Sequence, residues 1–121
     1  MPEAPRARPA GTVVLHSLRG HVRARPAAAF DALDARFRPS GASHSRYLSD
    51  PVAFLIVEQG GWWYRGEYRV VPDERGSNVE YVMLNVATTA RWLGPFTGRR
   101  VIRGAPAQFD TMMRQLRLEL E

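Results

Sequence analysis

With 121 residues, no cysteine and a formal charge of +5, the chain is sized for one domain that buries roughly two-thirds of its unfolded surface. Disulfides and thiolate metal sites are excluded. The charge suggests nucleic acid, but all 17 basic residues are arginines, dispersed among acids apart from Arg6 with Arg8 and Arg99, Arg100 with Arg103, so nucleic acid ranks last among partners.

Residues 1–10, MPEAPRARPA, have no apolar run of the signal-peptide kind and read as a disordered tail ahead of a single domain over 11–121. VAFLIV at 52–57 falls far short of the roughly 20 residues that cross a bilayer. No membrane span and a cytoplasmic location are therefore expected. TVVLHSLRGHVRA, 12–24, alternates as a half-buried strand with Val14, His16, Leu18, Gly20 and Val22 on one side. Pro26 has no amide to donate and suits a first helical turn. Ala29, Phe30, Leu33 and Phe37 then predict a short amphipathic helix over 26–37. HSRYLS predicts a short strand at 43–48, and VAFLIVEQ a stronger one at 52–59 after an Asp50-Pro51 turn.

Gly60-Gly61 turns into WWYRGEYRVV, and PDERGSN separates that strand from VEYVMLNVA at 79–87. The loop reads as longer than the two-residue hairpin form. Next, TTARWLGPFTGRRVIRG carries Gly94-Pro95, Gly98 and Gly104, which predicts irregular structure with one or two helical turns. From Ala105, PAQFDTMMRQLRLELE spaces Phe109, Met112, Met113, Leu116 and Leu120 as the apolar stripe of a C-terminal helix. Strand, helix, consecutive antiparallel strands and a final helix define an α+β arrangement.

Pairing Val71 with Asn78 sets a register in which Trp62, Tyr64, Gly66, Tyr68 and Val70 share one face with Ala87, Asn85, Met83, Tyr81 and Val79. The opposite face carries Trp63, Arg65, Glu67 and Arg69 with Glu80. The aromatic face is expected to meet the helices and the charged face to meet water.

RARPAAAFDAL after the first strand, EYRVVPDERGSNVEYVML as the late hairpin and QFDTMMRQLRLELE at the end resemble the SRPBCC superfamily, the START-like or birch-pollen-allergen-like helix-grip proteins. The resemblance covers most of residues 12–121 and rests on pattern, with no invariant catalytic motif. It implies a curved antiparallel sheet around the long C-terminal helix, enclosing an apolar cavity. Only residues 38–59 separate the first helix from the aromatic strand, which suits a shortened member of the family.

On that reading the ligand-binding candidates are His16, Trp62, Tyr64, Tyr68, Tyr81, Met83, Asn85, Phe109, Met112, Met113 and Leu116, with Val14, Leu18, Phe30 and Phe54 as further neighbours. Their occupant would be a small hydrophobic or aromatic molecule, lipid, polyketide or isoprenoid-like, oriented by Tyr and Asn groups. The same side chains also suit a filled core. Phosphate-loop, nucleophile-elbow and zinc-protease motifs are absent from the sequence, no cofactor or metal is implied, and no catalytic residue stands out. Two alternatives stay open. One is a polyketide cyclase or aromatase managing protons through His16, Tyr64 or Tyr81. The other is a protein-interaction module displaying Trp63, Arg65 and Trp92. A homodimer is compatible with either.

Overall fold

A computed structural model of the chain describes residues 3–39, 46–87 and 98–121. In chain order the elements are β1 (Val13–Val22), α1 (Pro26–Phe37), β2 (Arg46–Asp50), β3 (Leu55–Gly60), β4 (Tyr64–Asp73), β5 (Gly76–Asn85) and α2 (Arg99–Leu120). Among the described residues the strands form one antiparallel sheet in the order β1-β5-β4-β3-β2. Both helices pack on the same side, around Phe30, Leu33, Ile56, Val79, Met113 and Leu116. A short helix after the first strand, a meander of strands and a long C-terminal helix across the sheet make the α+β helix-grip arrangement.

The β4–β5 register runs as the side-chain pattern predicts, with Val71 opposite Asn78, Tyr68 opposite Tyr81 and Gly66 opposite Met83. The loop is shorter than expected. Pairing continues to Asp73 opposite Gly76, leaving a two-residue turn at 74–75. Asp73 closes it by accepting from the Arg75 amide at 2.8 Å, and Gly76 adopts φ 138°, a value open to glycine. A Cβ there would also overlap the Val22 carbonyl.

The start of β3 moves to Leu55 because Asp50 Oδ1 accepts from the Val52 and Ala53 amides, folding 51–54 into a turn with Phe54 at φ 53°. β2 starts at Arg46, and His44 lies outside the described residues. In β1 a bulge between Val14 and His16 breaks the alternation. Val14 therefore pairs with Leu84 and is half exposed instead of sharing the inner face with His16.

Two sequence expectations fail more substantially. α2 begins at Arg99, before Gly104 and with Pro106 inside it, so the one or two helical turns expected ahead of Ala105 join the C-terminal helix without a break, and its start moves from Ala105 to Arg99. Residues 3–10, read as a tail outside the domain, lie on the outer sheet face. Ala4 is buried with Leu48, Leu55 and Val57, and Arg65, expected in water, is fully buried beneath this strap. Its guanidinium donates to the Pro5 carbonyl at 2.7 Å, the Arg6 carbonyl at 2.9 Å, Gln59 Oε1 at 3.1 Å and Glu67 Oε2 at 2.8 Å. Arg8 closes on Glu67 from the strap. Burial would raise the Glu67 pKa, but the hydrogen bonds from Arg8 and Arg65 outweigh it and hold the carboxyl below its ordinary value.

Candidate functional site

Between the inner sheet face and α2 lies a cavity of about 560 Å³, within the range of small-molecule sites. Its wall follows from strand alternation. Tyr64 and Tyr68 are four residues apart on β4, Tyr81 and Met83 two apart on β5, and all four point inward. α2 closes the other side with Ala105, Phe109 and Met112, while Gln108, Thr111 and Gln115 bring polar groups. Arg36 and Phe37 complete it from the last turn of α1.

The rings form a continuous row. Phe37 stacks on Tyr68 at 4.4 Å between centroids, Tyr68 on Tyr81 at 4.6 Å, and Tyr81 on Phe109 at 6.0 Å. The Tyr64 and Tyr81 hydroxyls share a hydrogen bond of 2.9 Å. Gly66 permits this contact, because a Cβ there would overlap the Tyr64 hydroxyl and come within 3.2 Å of the Tyr81 ring. Burial raises the pKa of all three tyrosines, and the nearby Glu58 charge adds to the effect. Their hydroxyls stay protonated, and those whose proton is not used in the Tyr64–Tyr81 bond can donate to an occupant.

Glu58 is the site residue that sequence reasoning missed. On β3 it pairs with Gly66, which places it on the inner face among the tyrosines. Burial pushes its carboxyl up to about 7, and Oε1 has no hydrogen-bond partner. The signal was available: carrying the hairpin register one strand further, through the Gly60-Gly61 turn, aligns Glu58 with Gly66.

Of the predicted residues, Tyr64, Tyr68, Tyr81, Met83, Phe109 and Met112 line the cavity and five do not. His16 faces α2, where Nε2–H donates to the Ile102 carbonyl at 2.6 Å. Pro106 cannot supply the amide that would serve that carbonyl within the helix, so His16 holds the helix and not a ligand. Trp62 is 47% exposed, because β4 starts only at Tyr64 and the two tryptophans belong to the preceding turn. Trp63 packs its ring on Gly98 at the start of α2. Asn85, at the end of β5, turns its Oδ1 to the Ala87 amide at 3.0 Å. Met113 lies against Gly20 of β1, and Leu116 is fully enclosed in the core. Phe30 and Phe54 pack on each other, also away from the cavity. Trp92 lies outside the described residues.

Among the described residues no three His, Asp or Glu side chains converge as a metal site, and no helix is long and apolar enough to cross a membrane. The chain matches no protein-family model, no curated protein and no solved structure.

Proposed function

We propose that the protein binds a small, largely apolar molecule carrying a ring system, in the cavity between the sheet and α2, as a shortened helix-grip protein of the SRPBCC type. The observation that carries this reading is the row Phe37, Tyr68, Tyr81, Phe109 bordering about 560 Å³ of unfilled space. The stacked row borders the space with its ring edges, and polar groups stand at defined points on the wall. Apolar contact with the row supplies affinity, and the tyrosine hydroxyls and Glu58 orient the occupant.

Native mass spectrometry of the purified protein tests the reading by looking for a retained molecule. Ala105→Phe directs a ring into the space and is expected to abolish retention while the protein stays folded. Retention unchanged by Ala105→Phe would place the molecule elsewhere. Of the residues named for a protein-interaction surface, Arg65 is fully buried and Trp63 is packed on Gly98, while Trp92 lies outside the described residues. A cyclase or aromatase activity keeps one specific support. A carboxyl at about 7 beside the Tyr64–Tyr81 pair can both give and take a proton near neutrality, so in such an enzyme Glu58, not His16, would handle protons.

A further inference from the structure

We infer that the molecule this cavity takes carries a basic amine on its apolar body, and that the Glu58 carboxylate receives it beside the tyrosine rings. The inference rests on the cavity being a binding site. Glu58 reaches it from β3, with Oε1 buried and without a partner. A desolvated carboxylate is costly unless it is paired or fully hydrogen-bonded. The surrounding elements leave that pairing unmade. On β2, Tyr47 donates its hydroxyl to Asp34 at 2.7 Å. β4 and β5 bring Tyr64, Tyr68 and Tyr81, the first and last bonded to each other. The described part of α2 that lines the cavity offers no titratable group, and α1 offers Arg36, exposed at the rim.

Three headgroup chemistries can be weighed against this wall. An anionic head, as on a fatty acid, would meet the Glu58 charge in a low-dielectric space and be repelled. A hydroxyl would satisfy Oε1 but leave the charge unbalanced. An ammonium satisfies Oε1 and balances the charge. Its arrival also returns Glu58 to the ionised form that burial disfavours. Only the amine answers every feature of the wall.

The test titrates the full chain by calorimetry with three probes that share one ring system: 2-naphthylmethylamine, 2-naphthylmethanol and 2-naphthoic acid. At about pH 8 the amine is expected to bind about tenfold or more tighter than the alcohol, with the acid weakest. Glu58→Gln keeps shape and removes charge. It should abolish the amine preference, leave the alcohol within about threefold and melt no lower than the parent. Lowering the pH from about 8 to about 6 should weaken the amine as Glu58 takes up a proton, and leave the alcohol unchanged. An alcohol or acid that binds as tightly as the amine overturns the inference while leaving the cavity reading intact. So does a preference that survives Glu58→Gln, or parallel pH profiles for amine and alcohol. Binding of none of the three overturns the cavity reading, and the inference with it.

Discussion

His16 on β1 donates to the Ile102 carbonyl of α2, the carbonyl left without its helical donor by Pro106. The proline and the histidine thus form one device, although 90 positions separate them in the chain. The helix continues through its proline because the sheet supplies the missing hydrogen bond. A chain that begins its C-terminal helix at Arg99 instead of Ala105 extends the lid of the cavity by more than a turn.

His16→Leu is therefore expected to cost about 1–2 kcal/mol, leaving a partly buried carbonyl unpaired. Pro106→Ala restores an amide at that point, so the double variant should lose about 1 kcal/mol less than the sum of the single effects. Urea unfolding of the four proteins measures the coupling. Strict additivity would mean the two residues act independently.

Glu58 predicts an unusual pH dependence of stability. Its carboxyl rises from 4.5 to about 7 on folding, so the folded chain binds more protons than the unfolded chain between those values. Stability from this group is complete below pH 4.5 and is lost as the pH rises through 7, about 3 kcal/mol in all. Asp34 runs the other way. Burial would raise its pKa, but hydrogen bonds from Arg38 and Tyr47 bring it below its ordinary value. Its contribution is held above the ordinary carboxylate range and is lost on acidification. Glu58→Gln should be more stable than the parent at about pH 8 and nearly equal at about pH 4. Thermal melts across pH give the difference curve, which would be flat if Glu58 were not desolvated.

Gly66→Ala should fold, at a cost of about 1 kcal/mol, but displace the Tyr64 ring, whose hydroxyl occupies the space of the new Cβ. The moved ring enters the cavity and the Tyr64–Tyr81 hydrogen bond breaks. Naphthyl probes should then bind at least about tenfold more weakly. Unchanged affinity would show that Tyr64 has another rotamer that spares the cavity.

The N-terminal strap is expected to be part of the domain's stability. Removing residues 1–8 takes two carbonyl acceptors from the buried Arg65 and uncovers Leu48, Leu55 and Val57, a loss of about 2–4 kcal/mol. Arg65→Met in the full chain should cost less than Arg65→Ala, because the methionine fills the space beneath the strap. Chemical denaturation ranks the three variants.

The sequence by itself determined the order of elements, the span of α1, the β4–β5 register and the aromatic face that borders the cavity. Each of these follows from local rules: the period of two along Tyr64, Gly66, Tyr68 and Val70, the proline at the first turn of α1, and the helical spacing from Phe109 to Leu116. Only the tertiary structure decided which neighbours complete those elements. Pro106 reads as a helix start until His16 arrives from β1, and Arg65 reads as a surface charge until residues 3–8 cover it. Glu58 can be aligned with Gly66 by carrying the hairpin register through the Gly60-Gly61 turn, but the burial that leaves its Oε1 unpartnered is set by the tyrosines and helices around it. In all three cases a polar group's environment is set by a distant segment. The free energy of a buried donor, acceptor or charge depends on that partner, and local periodicity carries no information about it.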